Sequence, residues 1–136
     1  MATLDTNVLV RFLVQDDDKQ GLLASELIRS TLAKGEPLFV PVTVMLELEW
    51  VLRSNFGFDK AQIILTLTSL LAASELSFES EKSVEVALQL FRQNKADFSD
   101  CVHIALSHSA GMTPMWTFDQ AASKVDGAKL LSEKLK

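Results

Sequence analysis

The sequence predicts an α/β fold with a mainly parallel central sheet. Short apolar runs alternate with segments of helical periodicity along the whole chain, and strands connected through helices pair in parallel when they join the same sheet. Two of the apolar runs end in an aspartate, at Asp5 and Asp119. Because no linker, internal repeat or low-complexity segment interrupts the 136 residues, we expect a single domain over residues 1–136.

The elements follow from apolar spacing and from end signals. The runs that we expect to form short strands are residues 2–4, 38–40, 76–78, 115–118 and 129–131. The segments with apolar residues at three- and four-residue spacing, which predict helices, are 8–14, 19–33, 44–56, 59–73, 80–95, 100–110 and one that begins at 120. Thr43 and Asp59 are expected N-caps, and Gly57 and Gly111 are expected helix ends.

Composition and charge narrow the class of protein. Hydrophobic residues make up 48% of the chain and charged residues 23%, which argues against disorder. No apolar run reaches the roughly 18–20 residues that span a bilayer, no leader is evident, and Cys101 is the only cysteine. We therefore expect a cytoplasmic protein. The net charge of −5 argues against a nucleic-acid partner, but four candidate metal ligands account for most of the excess acid.

Asp5 directly follows the first apolar run, where the carboxyl end of a parallel strand faces the ligand-binding edge of a sheet. A carboxylate at this point either takes part in chemistry or caps the helix that we expect to begin at Val8. Asn7 is nearer to that helix and is able to cap it. This favours a functional interpretation of Asp5.

Two glutamates of the third predicted helix are expected to have different environments. Glu47 lies three residues after Val44 and four before Val51, so it projects from an apolar face. A carboxylate there is costly unless it is paired or binds a metal. Glu49 lies four residues before Arg53, which is the spacing of a surface ion pair. We therefore predict that Glu47 is functional and that Glu49 is a surface residue.

Asp100 and Asp119 complete the set of candidate acids. Asp100 would lie in the first turn of a helix capped by Ser99, where a carboxylate also complements the helix dipole. Asp119 follows a buried strand as Asp5 does, and helix capping is again the alternative. Because strands of a parallel sheet end at one edge, and helices leave from that edge, we expect these acids and Glu47 to converge there.

Four carboxylates in one crevice would raise one another's pKa unless a cation neutralised them. Ligands that are all oxygen select Mg²⁺ or Mn²⁺ rather than zinc or copper. Mg²⁺ keeps several waters and takes one or two carboxylates together with a substrate phosphate, so one or two ions fit this set. The predicted chemistry is metal-assisted hydrolysis of a phosphodiester, in which the ion activates water and stabilises the charge that develops on the phosphate.

Four segments together resemble the PIN-domain family, and within it the VapC-type toxins of toxin–antitoxin pairs. They are LDTNVLV, VTVMLELEWVL, DFSDCVHIALS and WTFDQ, in the family's order and over essentially the whole chain. The resemblance implies a three-layer fold in which about five short strands are flanked by helices. It also implies a ribonuclease that depends on Mg²⁺, with Mn²⁺ as the alternative, a homodimer and an inhibitory cognate antitoxin.

The resemblance also implies roles for individual residues. The residues to which it assigns metal binding and catalysis are Asp5, Glu47, Asp100 and Asp119. Thr6 would orient Asp5 or a metal-bound water through its hydroxyl, and Asn7 could do the same. Asp97 is a supporting candidate, because acids occur just before the third aspartate of the family. Asp119, at the position where the family varies most, would act directly or through water.

Three alternatives stay open at this point. A phosphotransfer enzyme would also have an aspartate after its first strand, but haloacid dehalogenase-like phosphatases need a second aspartate where this chain has Asn7. An RNA-processing PIN nuclease without an antitoxin is the second alternative, and a non-catalytic PIN-like binding module is the third. Arg11, Arg53 and the lysines of residues 124–136 are candidate contacts for RNA phosphates.

Overall fold

Seven helices and four short strands make up residues 2–132, the part of the chain that the computed structural model describes. In chain order they are α1 Thr6–Val14, α2 Asp18–Lys34, β1 Leu38–Val40, α3 Val42–Phe56, α4 Lys60–Leu71, β2 Leu76–Phe78, α5 Glu81–Gln93, α6 Phe98–Ala110, β3 Met115–Thr117, α7 Gln120–Ser123 and β4 Ala128–Leu130. The chain divides into a first compact unit, Met1–Glu81, and a second, Lys82–Lys136. The single domain expected from the sequence stays a prediction.

The first unit contains three extended segments that pair in parallel. The Phe39 amide donates to the Ala2 carbonyl at 2.8 Å, and the Leu4 amide donates to the Phe39 carbonyl at 2.9 Å. On its other side β1 pairs with β2, with Val40 opposite Phe78. Because the pairing is parallel, the chain leaves the first segment and β1 at the same edge, and it continues from there into α1 and α3.

The core of the first unit is apolar and tightly enclosed. Helix α1 packs against α2 and α3, and α3 packs against α4. The side chains with at most 1% exposure are Leu4, Leu9, Val40, Met45, Leu48, Leu52, Ile63 and Leu67. Each buried Leu or Ile of this kind contributes about 1.5–3 kcal/mol to the free energy of unfolding. This buried packing therefore holds α1 and α3 in place.

The start of α1 differs from the prediction. The helix begins at Thr6 rather than at Val8, and Asp5, not Asn7, is its N-cap. The Asp5 side chain accepts a hydrogen bond from the Thr6 backbone amide at 2.7 Å. Both polar residues are able to cap, so the choice between them depended on where the first extended segment ends. It ends at Leu4, whose amide still pairs with β1.

Two further N-caps were predicted wrongly, those of α3 and α6. Helix α3 begins at Val42, ahead of Thr43, because the Val42 amide donates to a carboxylate oxygen of Glu79 at 2.8 Å. Helix α6 begins at Phe98, so that Asp97 rather than Ser99 occupies the N-cap position. In α3 a partner far along the chain satisfies an amide at the helix end, and local sequence does not reveal such partners.

Other predicted ends are confirmed. Asp59 caps α4 through a capping box, in which the Gln62 amide donates to Asp59 and the Gln62 side chain accepts from the Asp59 amide. Helices α3 and α6 end at Gly57 and Gly111, whose φ angles of +67° and +70° lie in the left-handed region.

The second unit contains a second parallel pair, β3 with β4, in which Trp116 lies opposite Lys129. Helices α5 and α6 contact one another through the rings of Phe91 and Phe98, which meet edge to face with centroids 5.7 Å apart. The strand predicted at residues 115–118 is present as β3, but its predicted burial is wrong, since Trp116 is 46% exposed. Within the described part of this unit β3 pairs only with β4, so its other hydrogen-bonding edge is open.

The predicted α/β class is confirmed. Every strand pairing in residues 2–132 is parallel, and the five predicted strands correspond to β1–β4 and the bridge between Thr3 and Phe39. No helix within the described residues combines the length and the apolar character needed to cross a bilayer. Of the C-terminal lysines, Lys134 and Lys136 lie outside the described residues.

Candidate metal centre

Thr6 connects two of the candidate acids in the first unit. Its backbone amide donates to Oδ1 of Asp5 at 2.7 Å, and its hydroxyl donates to Oε1 of Glu47. Thr6 itself is only 3% exposed, whereas Asp5 and Glu47 are exposed. One buried residue therefore holds two solvent-accessible carboxylates, each through one oxygen. Solvent-accessible carboxylate oxygens are the donors that Mg²⁺ or Mn²⁺ requires.

The two glutamates of α3 have the opposite of their predicted environments. Glu47 is exposed, and Glu49 is only 4% exposed. The stripe that α3 buries is Met45, Leu48, Glu49 and Leu52, at the i, i+3, i+4 and i+7 positions of one face. The prediction relied on a different stripe, through Val44 and Val51, which is only half-buried. Since both stripes are apolar, tertiary packing chose between them.

The predicted pairing of Glu49 with Arg53 is confirmed. Nε of Arg53 lies 2.9 Å from Oε2 of Glu49, and Nη2 lies 3.5 Å from Oε1. The Glu49 side chain is 6% exposed, whereas that of Arg53 is 51% exposed. The guanidinium therefore compensates a buried carboxylate from the solvent side. For this reason we interpret Glu49 as part of the packing of α3.

Three acids lie near one another in the second unit. Burial raises the pKa of Asp100, and repulsion from Asp119 and then Asp97 raises it further, while His103 acts in the opposite direction. Asp100 lies in the first turn of α6, and Asp97 occupies its N-cap position without a side-chain capping bond. Like charges that disfavour one another's ionised forms are stabilised by a cation. The donor chemistry of these residues therefore suits a hard divalent ion.

Asp119 also caps a helix. Its Oδ1 accepts from the Ala122 amide at 2.8 Å, and its own amide donates to the Thr117 hydroxyl at 3.0 Å. Helix capping, the predicted alternative to a functional role, is therefore confirmed for Oδ1 of Asp119. Capping uses one carboxylate oxygen, and Asp119 is exposed. The two roles are compatible.

Two of the candidate phosphate contacts, Arg11 and Arg53, are engaged in ion pairs. Nη1 of Arg11 lies 2.9 Å and 3.0 Å from the two carboxylate oxygens of Asp16, and its Nε donates to Gln20 at 2.7 Å. Arg53 is bound to Glu49 as described. A phosphate that approached either guanidinium would have to compete with a carboxylate already in place.

The candidate acids thus fall into two sets. Asp5 and Glu47 are connected by hydrogen bonds to Thr6. Asp100 is connected to Asp97 and Asp119 by charge repulsion. Across residues 2–132, no three His, Cys, Asp or Glu side chains are grouped closely enough to hold a metal ion. Charges repel one another over longer distances than those of metal coordination. Asp100 can therefore be repelled by Asp97 and Asp119 although the three carboxylates are not grouped closely enough to hold a metal ion. The Thr6 bond to Glu47 spans 41 residues, and no sequence spacing indicated it.

The family model described as PIN domain matches residues 2–128. A protein named VapC ribonuclease, from Aquifex aeolicus (strain VF5), is 25% identical over 125 residues, which cover 92% of this chain and 92% of the relative.

Proposed function

The chain belongs to the PIN-domain family, and from this premise we propose that it is a ribonuclease that hydrolyses RNA phosphodiester bonds with the help of Mg²⁺ or Mn²⁺. The observation that carries the proposal is the pair of bonds by which Thr6 holds Asp5 and Glu47. These bonds orient two carboxylates that stay exposed, so each carboxylate remains able to bind a cation. The name of the relative, a VapC ribonuclease, supports the substrate class.

The proposal gives each acid a role. The carboxylates proposed to hold the cation are those of Asp5, Glu47, Asp100 and Asp119. A bound divalent ion supplies an activated water and charge stabilisation at the phosphate. Thr6 is a positioning residue, because its two hydrogen bonds restrict the rotamers of the acids beside it. Asp97 adds negative charge near Asp100 and thereby favours the cation. Asn7 is exposed in the first turn of α1 and remains a supporting candidate.

We further propose that the protein is the toxin of a toxin–antitoxin pair, that it acts as a homodimer in the cytoplasm, and that a cognate antitoxin inhibits it. The support is the resemblance to VapC proteins over most of the chain. Light scattering on the purified chain tests the dimer. Co-expression with a small neighbouring reading frame tests the antitoxin, because toxicity should disappear when both are produced.

The decisive experiment measures cleavage of RNA by the full chain. We expect cleavage with Mg²⁺ or Mn²⁺, none in EDTA, and none by Asp5→Asn or Asp100→Asn. Glu85→Gln is the matched control, since Glu85 is an exposed acid of α5 outside the candidate set. Cleavage by Asp5→Asn at the wild-type rate, or cleavage that persists in EDTA, would overturn the proposal. RNA binding without cleavage under every metal condition would indicate a binding module instead.

A further inference from the structure

The second unit has a groove between the first two turns of α5 and the last two turns of α6. Its volume is about 280 Å³. The residues that line this α5–α6 groove are Lys82, Ser83, Val86, Ala105, His108 and Ser109. They combine an ammonium group, two hydroxyls and an imidazole with two apolar side chains, and no carboxylate is among the described residues that line the groove. Cations and hydroxyl donors without a competing carboxylate form a site for an anion.

Ser83 is a buried polar residue whose hydroxyl is free to bind a ligand. Ser83 is only 8% exposed, and its hydroxyl has no hydrogen-bond partner among the described residues. Within residues 2–132, no side-chain oxygen or nitrogen is both fully enclosed and unpartnered. The Ser83 hydroxyl is therefore reachable from outside, and the α5–α6 groove is the space that Ser83 lines. A buried hydroxyl that meets only such a groove gains from a ligand that accepts its hydrogen bond.

Lys82 brings a positive charge to the same groove. Glu85 lies three residues after Lys82 on α5, a spacing that allows an ion pair. The ion pairs in the described part of the chain nevertheless do not include Lys82. Its ammonium group is therefore not neutralised by a carboxylate of the protein. A lysine in this state is a phosphate ligand that acts as a point charge.

The helix ends beside the groove also tolerate an anion. Lys82 and Ser83 lie in the first turn of α5, where the helix dipole favours negative charge. The C-terminal end of α6 would have the opposite effect, but the Gly111 amide donates to the His108 carbonyl at 3.1 Å and so caps this end. We do not count the His108 ring as a donor to the ligand, because its Nε2 already lies 3.4 Å from the Asp126 carbonyl oxygen.

We infer that the α5–α6 groove binds the phosphate group of a small phosphate monoester. Lys82 and the hydroxyls of Ser83 and Ser109 are the donors. A terminal phosphate offers three free oxygens to these donors, whereas a phosphodiester of a nucleic-acid backbone offers only two. Val86 and Ala105 supply apolar surface for the carbon part of the ester. The donors and the apolar surface together favour a phosphate monoester over a free ion.

The groove is separate from the candidate metal ligands of α6. Asp100 lies in the first turn of that helix, and His108 lies in its last turn. At a rise of 1.5 Å per residue, the two positions are about 12 Å apart along the helix axis. A phosphate in the groove is therefore not the phosphate that the proposed ribonuclease would attack, and the inference does not depend on that function.

Calorimetry on the full chain, with phenyl phosphate as the probe, tests the groove. The buffer contains EDTA, so that no divalent cation brings phosphate to the candidate acids. We expect saturable binding of one phenyl phosphate per chain. Lys82→Gln and Ser83→Ala should each weaken it about 10- to 150-fold, the effect of losing a hydrogen bond to a charged group. Because Lys82 is exposed, Lys82→Gln tests the groove even if Ser83→Ala lowers the stability of the protein.

Two matched controls distinguish the groove from general charge and from general disruption. Lys95→Gln removes an exposed lysine that follows α5 and does not line the groove. Ser107→Ala removes a hydroxyl of α6 that already donates to the His103 carbonyl at 2.8 Å. Both variants should bind phenyl phosphate as the wild type does.

Inorganic phosphate is the second probe, and it separates the phosphate from the group attached to it. Phenyl phosphate should bind more tightly, because its ring contacts the apolar side chains of the groove. Val86 is 47% exposed, so Val86→Ser should leave the fold intact. This change should weaken binding of phenyl phosphate about 3- to 10-fold by removing apolar contact, and it should leave the affinity for inorganic phosphate unchanged.

Four results would overturn the inference. The first is the absence of saturable phenyl phosphate binding to the wild type, and the second is binding that both Lys82→Gln and Ser83→Ala retain. Equal affinities for phenyl phosphate and inorganic phosphate would assign the groove to the free ion instead of an ester. Displacement of phenyl phosphate by a short RNA without terminal phosphates would assign it to the nucleic-acid backbone.

Discussion

The hydroxyl of Thr6 donates a hydrogen bond to the carboxylate of Glu47, 41 residues further along the chain. Thr6 is the first residue of α1, and Glu47 lies in α3, which packs against α1. The bond therefore depends on how two helices pack. The bond to Asp5 comes from the Thr6 backbone amide, which a side-chain substitution keeps, so such a change at Thr6 should act on Glu47 rather than on Asp5.

Thr6→Val removes the hydroxyl and keeps the shape of the side chain. We expect cleavage of RNA to fall about 10- to 100-fold, the usual effect of losing a residue that orients metal ligands. Affinity for Mn²⁺, measured by calorimetry, should fall in parallel. Thr6→Ser keeps the hydroxyl and should retain both. Normal metal affinity and normal activity in Thr6→Val would show that the bond to Glu47 has no functional role.

Glu49→Ala should act on stability rather than on activity. The change leaves Arg53 without this carboxylate and opens a buried position, so we expect a loss of about 1–3 kcal/mol in the free energy of unfolding. Urea denaturation measures the loss, and Glu85→Ala on the exposed face of α5 should change it little. Activity per folded molecule should stay near wild type. If Glu49→Ala abolishes activity while Glu47→Gln does not, the roles of the two glutamates are reversed.

Asp100→Asn should stabilise the metal-free protein at neutral pH. Burial, and repulsion from Asp119 and Asp97, raise the pKa of Asp100 in the folded state above its value in the unfolded chain. The folded state therefore holds that proton more tightly. The stability of the wild type should fall as pH rises from the unfolded pKa through the folded pKa, and the penalty persists at higher pH.

Thermal unfolding in EDTA checks this prediction. The Tm of Asp100→Asn should exceed that of the wild type at neutral pH, and the two should converge in acid, where Asp100 is protonated in both states. Added Mn²⁺ should raise the Tm of the wild type more than that of the variant. A variant that is less stable than the wild type at every pH would contradict the repulsion between these acids.

Gly127→Ala should destabilise the second unit. Gly127 has φ +99°, and an added Cβ would meet Nε2 of His108. We expect a loss of about 1–3 kcal/mol, from the strained backbone and from displacement of the histidine ring. Gly111→Ala is the matched control, since Gly111 also has positive φ, +70°, but has open space around it. The same change is also made in a His108→Ala background. If Gly127→Ala lowers the free energy of unfolding there as much as it does in the wild type, the contact with the ring is not the cause.

Much of the fold was predictable, because its signals are local. The positions of the four strands followed from short apolar runs, and Gly57 and Gly111 marked helix ends because glycine adopts positive φ without strain. The capping box of Asp59 also lies within four residues. The candidate acids were identified from the same kind of signal, as carboxylates that follow strands or begin helices.

The tertiary structure decided what local signals leave ambiguous. Helix α3 carries two apolar stripes, and packing against α1 and α4 accompanies burial of the one that includes Glu49, with Glu47 left exposed. The bond from Thr6 to Glu47 and the exposure of Trp116 likewise depend on which elements become neighbours. The sequence by itself determined the elements and their candidate acids, because helix periods and end signals extend over a few residues. Only the tertiary structure decided which side chains are buried and which meet, because that depends on surfaces contributed by residues far apart in the chain.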